Sequence, residues 1–190
     1  MSTIPLLGVL ALLMTSTVMG QVMPADWDAA DIETVRLAPE KIDALPPPIQ
    51  QELTRLGCTV PQVSSASDRP GNFIIGRFLA SSQTHIAVLC SRHRISSILV
   101  FATGSTRPVA ELAEAPDKDF LQVIDGNGRI GFSRSLEVAQ PHAIRSYHAN
   151  SGGPELPSLD HDGIADAFAE KGSRVWYWHA GQWLQLMGSD

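Results

Sequence analysis

The alternation of apolar and polar positions divides the chain into an apolar head, one amphipathic helix and a succession of short strands. Residues 3–23, TIPLLGVLALLMTSTVMGQVM, carry no charged side chain, and the most apolar part is 5–14. A small residue at Gly20 and Val18 two positions before it fit a signal-peptidase cut after Gly20, so 1–20 reads as a signal peptide. Uncut, the same run would anchor the chain, since about 20 apolar residues span a bilayer. Pro5, Gly8 and Thr15-Ser16-Thr17 shorten it and favour the cut.

Ile49, Leu53 and Leu56 recur at i, i+4 and i+7, which predicts a helix over 48–56, with Gly57 as its left-handed C-terminal cap. Residues 37–45 read as two further helical turns, and Pro46-Pro47-Pro48 ends them. Beyond a Ser-rich loop at 63–71 the pattern becomes strand-like at 72–78, 85–90 and 97–101. The last two are nearly continuous Ile, Val, Leu and Ala, as in strands buried on both faces. Residues 103–108 are a turn, and 109–115 carry no clear period. Segments 119–124 and 131–138 read as strands around the turn Asp125-Gly126-Asn127-Gly128. A short helix follows at 141–149, then a loop at 151–157. The tail reads as a strand meander, 166–170, 174–179 and 182–186, turning at Lys171-Gly172 and Ala180-Gly181. Residues 164–168 also fit a short helix capped by Asp162, and both readings stand. The expected fold class is α+β: mainly antiparallel sheet with a short N-terminal helix, an acidic lead over 21–36 and a single domain over 37–190.

Charge narrows the partners. Of 190 residues, 20 are Asp or Glu and 14 Lys or Arg, a net charge of −6, and the basic residues are scattered. Nucleic acid needs clustered cations to neutralise phosphates, so it is not an expected partner. A protein or a glycan is. The membrane enters only through the signal segment, should it stay uncleaved.

Cys58 and Cys90 are the two cysteines. An even count in an exported chain reads as one disulfide, closing a loop of about 33 residues for roughly 3–4 kcal/mol on the chain-entropy model. The expected location is periplasmic or secreted.

The densest carboxylate cluster is Asp160-His161-Asp162-Gly163-Ile164-Ala165-Asp166. Calcium takes oxygens from carboxylates on alternating positions of a tight, glycine-turned loop, so Asp160, Asp162 and Asp166 are candidate calcium ligands. The EF-hand pattern is incomplete, because Ala169 stands where the last acid belongs. The rival reading is an Asp-capped turn that needs no metal. The six histidines lack zinc spacing, there is no G-x-S-x-G elbow, and no catalytic residue is assigned. Trp176, Trp178 and Trp183 form an aromatic strip that would stack a ligand or fill the core of a small sheet.

Residues 76–101, GRFLASSQTHIAVLCSRHRISSILVF, resemble an FG-GAP or VCBS-type half-blade through Gly76, Phe78, Ile86, Ala87, Val88 and Ile98–Phe101. Residues 160–178 resemble a second, shorter copy in which Asp166 stands where His85 stands in the first. The resemblance implies integrin-type blades with calcium in the acidic loop. Only Asp160, Asp162 and Asp166 keep the acids, the first copy having Ser81, Ser82, Gln83 and His85 instead. A closed propeller needs at least about four blades, more than the chain can supply. The chain also resembles small secreted bacterial proteins of unassigned function, which implies no activity. The expectation is an exported, non-enzymatic binding or structural module of the cell envelope, steadied by calcium at 160–166. The alternative is a metal-assisted hydrolase built on Asp160, His161 and Asp162.

Overall fold

The computed structural model describes residues 26–64, 70–150, 156 and 159–188. The signal segment expected at 1–20 and most of the loop at 151–157 lie outside the described residues.

The described chain is mainly antiparallel sheet. Two four-stranded meanders, each in sequential strand order, form its two principal layers. The first comprises β3 (Phe73–Gly76), β4 (His85–Arg92), β5 (Ile95–Ala102) and β6 (Ala110–Pro116). The second comprises β9 (Arg134–Ala139), β10 (Gly163–Phe168), β11 (Gly172–His179) and β12 (Gln182–Met187). Two small ladders accompany them, β1 (Arg36–Leu37) with β2 (Val60–Pro61), and β7 (Leu121–Val123) with β8 (Ile130–Phe132). Among the described residues no sheet closes into a barrel, and the two four-stranded sheets are fewer than the roughly four blades a closed propeller needs.

Period-two alternation on buried strands builds the layering. On β4, Ile86, Val88 and Cys90 point to one core and Ala87 and Leu89 to another. The first group, with Leu99 and Phe101 of β5, meets Leu53 and Ile49 of helix α2 (Pro47–Arg55) and Ile42, Leu45 and Val60 beside it. The second group, with Ile98 and Val100, meets Phe132, Leu136, Ile164 and Trp176 of the second half. The outer face of the second sheet, Ala139, Val175 and Tyr177, is covered by Ile144 of helix α3 (Pro141–Asn150). The order of layers is therefore helix, sheet, sheet, helix.

Helix α2 ends as its sequence predicts, with Gly57 at φ +74°. The Cys58 that follows is bonded to Cys90 of β4, with a Cα–Cα separation of 5.1 Å. The helix is thereby stapled to the buried central hairpin.

Five expectations need correction. Residues 37–45 hold one short 3-10 turn, Pro39–Lys41, rather than two α turns. The acidic lead contains a helix, α1 (Trp27–Glu33), whose Asp26 side chain accepts from the backbone N–H of Ala29. Strand 119–124 begins only at Leu121, after a 3-10 turn over Asp117–Phe120. Segment 131–138 is two strands, because Ser133 leaves both ladders: its N–H donates to Phe120 O and its carbonyl accepts from Ala169 N–H. That break moves the chain from the small hairpin into the second sheet. The strand expected at 166–170 spans Gly163–Phe168 as β10, and its pairing on both sides removes the helical alternative.

Candidate functional site

The acidic loop sits where the two meanders meet. It leads into the first residue of β10 and runs beside the segment that leaves β3. The backbone N–H of Asp162 donates to Arg77 O at 2.8 Å, and the N–H of Arg77 donates back to Asp162 Oδ2 at 2.9 Å. The Arg77 guanidinium stands 3.6 Å from the same oxygen. One residue pair thus clamps the end of β3 to the start of β10 from both directions.

A second tie lies next to it. Asp160 Oδ2 accepts from Ser81 Oγ at 2.7 Å, and its other oxygen is 3.0 Å from His161 Nδ1. The hydrogen bond from His161, then that from Ser81, holds the Asp160 carboxyl below its ordinary range. The other nitrogen of His161, Nε2, bonds Trp178 O of β11 at 2.9 Å. Asp160 and His161 therefore link a loop of the first meander to a central strand of the second.

Gly163 has a different role from the turn glycine its sequence suggests. Its φ lies outside the positive range. A Cβ there would stand 2.8 Å from Trp176 O and 2.9 Å from Ile144 Cδ1, so glycine is needed for close packing against β11 and α3.

Asp166 is turned away to a partner of its own. It reaches Arg134 diagonally across the β9–β10 ladder, in which Arg134 is paired with Phe168, with Nε to Oδ1 at 2.7 Å and Nη2 to Oδ2 at 2.9 Å. Arg134 is fully buried, and Asp166 is nearly so. Its remaining donors reach Ser96 Oγ at 2.9 Å, Ser96 O at 3.2 Å and Ala113 O at 2.7 Å, all on the first sheet. The Ala113 carbonyl is available because β6 bulges there, with Ala113 at φ +55°. The guanidinium carbon lies 4.3 Å over the Phe120 ring. All five N–H donors of the guanidinium are thus used, the condition under which a buried arginine is tolerated. Asn72 adds a further tie, donating to Pro61 O and Arg134 O and accepting from Leu136 N–H.

The candidate calcium ligands are therefore divided among three separate sets of partners. Among the described residues, no three His, Cys, Asp or Glu side chains are grouped so that they could hold a metal ion. The hydrolase residues Asp160, His161 and Asp162 are the ones engaged in the two ties. Two buried atoms beside them have no hydrogen-bond partner, Asp162 Oδ1 and His85 Nε2. His85 is enclosed at the first residue of β4, and its Nδ1 accepts from Phe78 N–H at 3.3 Å. Burial pushes the His85 pKa down, partly opposed by a backbone hydrogen bond at Gln83, with the nearby His161 adding a smaller downward effect.

Of the aromatic strip, Trp176 packs against the inter-sheet core. Trp178 and Trp183 pair across β11 and β12, rings 5.7 Å apart and inclined at 68°. That edge-to-face contact is not the flat platform on which a sugar ring stacks. A cleft of about 530 Å³ lies elsewhere, lined by Thr34, Val35, Leu37, Gln62 and Ile130 among others. None of the residues singled out from the sequence borders it.

Sequence reasoning missed Arg134 and the network of Arg36 with Asp31 and Asp117. A signal for Arg134 was present. It falls in period two with Leu136 and Val138, on a face that otherwise reads as buried. Comparison with protein-family models, with curated proteins and with solved structures yields no match.

Proposed function

We propose that the chain is an exported, non-enzymatic binding or structural module of the cell envelope, in which the 160–166 segment is a latch between two sheets. The observation that carries this reading is the allocation of its carboxylates. Asp160 is held by Ser81 and His161, Asp162 by Arg77, and Asp166 by Arg134. Groups spent on such contacts are unavailable for attack or metal binding unless the contacts break. The hydrogen bonds supply locally what calcium would otherwise supply, a neutralised and ordered acidic loop. The Cys58–Cys90 bond supports an extracytoplasmic location, where disulfides persist.

The test is a thermal melt of the purified protein with calcium, zinc or EDTA, together with assays on carboxyl and phosphate esters. A flat melting temperature and no turnover are expected. A calcium-dependent rise, or a hydrolytic rate abolished by Asp162→Asn, would overturn the reading. Export is tested separately by N-terminal sequencing of the protein from the periplasm or medium, with Gln21 the expected first residue.

A further inference from the structure

The two meanders treat their outer edges differently. β6, at one edge of the first sheet, carries Glu111 and Glu114, a bulge at Ala113 and Pro116 at its end. Charge, bulge and proline are the usual means by which an edge strand is kept from pairing with another chain. β12, at one edge of the second sheet, reads QWLQLM, with none of the three. Among the described residues it pairs with β11 alone.

The register shows what that edge offers. The N–H of Gly188 donates to Ser173 O, which makes 188 and 173 a hydrogen-bonded pair. Bonded and non-bonded pairs alternate along an antiparallel ladder. Trp183, Gln185 and Met187, opposite Trp178, Trp176 and Arg174, are then the residues whose backbone N–H and C=O point outward.

From this geometry we infer that β12 is a homodimerisation edge, pairing antiparallel with β12 of a second copy about a two-fold axis at Gln185. The three outward residues are symmetric about that position. Gln185 faces its own mate, and Trp183 of one copy faces Met187 of the other, so every outward N–H and C=O finds a partner. Isologous contacts of this kind are self-complementary by construction. Met187 is 62% exposed and would cover the edge of the indole, a favourable sulfur–aromatic contact. The absence of charge on the strand also favours a second copy. Two molecules that each carry −6 repel over most of their surface, and an uncharged edge is where they approach at least cost.

The test is sedimentation velocity on the full mature protein, from about 1 to 300 µM. A reversible monomer–dimer equilibrium is expected, with a Kd that falls as added salt screens the repulsion between two chains of charge −6. Gln185→Pro removes an N–H that makes no bond within the monomer, and it should weaken the dimer at least about tenfold. Gln185→Lys, at an exposed position, brings two cations together on the axis and should do the same without perturbing the fold. A wild-type protein that stays monomeric across the range overturns the inference. So does a dimer whose Kd neither variant changes.

Discussion

The two meanders share a strand order but are held together by different physics. In the first, β4 and β5 are mainly apolar on both faces, with buried polar residues confined to His85 and the serines near their hairpin end. They are covered by α2 on one side and the second sheet on the other, and a disulfide fixes the covering helix. In the second, the central strands β10 and β11 carry buried or half-buried polar groups. Asp162 and Asp166 lie on the inner face with Ile164, and Arg134 on β9 meets Asp166 between the sheets. The first sheet gains its order from area removed from water and a covalent link. The second depends on satisfied polar ties to the first. Hydrophobic burial tolerates volume-conserving change, whereas a buried ion pair tolerates almost none. The second half should therefore be the more sensitive to single substitutions, although the first contains more of the apolar core.

The largest expected effect follows directly. Asp166→Asn leaves the Arg134 guanidinium buried without a counter-charge and should cost about 3–5 kcal/mol in urea denaturation. A loss under about 1 kcal/mol would mean that the ion pair is not what joins the sheets. Replacing Cys58 and Cys90 together by serine should cost about 3 kcal/mol, leaving the fold intact in the cold but lowering its melting temperature. Gly163→Ala should cost about 1–3 kcal/mol, because the added carbon meets the Trp176 carbonyl, which cannot rotate away.

The legibility of the fold followed the same division. The apolar first half was readable: strands 85–90 and 97–101, helix 48–56 with its Gly57 cap, and the disulfide all follow from period, cap chemistry and cysteine count. The β11–β12 hairpin was readable too, because Ala180-Gly181 marks a turn with φ positive at both residues. The polar seam was not. Spacing along the chain shows that Asp160, Asp162 and Asp166 share alternation, but not that Arg77, Ser81 and Arg134 stand opposite them. Those partners come from distant segments, and only the packing of one sheet on the other brings them close. The break at Ser133 was hidden for a similar reason. A strand that leaves one ladder and enters another keeps its apolar pattern throughout.

The smallest expected effect is on pH dependence. Burial lowers the His85 pKa, so the unfolded chain takes up a proton at about pH 6.5 while the native ring stays neutral. Its contribution is complete above about pH 6.5 and declines as the pH falls toward the native pKa. His85→Gln should flatten this part of the stability profile, which is measured by denaturation at a series of pH values between neutral and mildly acidic.

Both meanders belong to one cooperative unit in this account, and probes placed on opposite halves test that most directly. Three of the four tryptophans, Trp176, Trp178 and Trp183, lie on the second sheet, whereas the disulfide lies on the first. Urea unfolding of the wild type and of the Cys58→Ser, Cys90→Ser variant should be followed by tryptophan fluorescence and by far-UV circular dichroism. Coincident transitions are expected in each protein, with loss of the disulfide shifting both signals to the same lower midpoint. A fluorescence transition that stays in place while the circular dichroism splits or moves would show the halves unfolding separately, and would contradict it.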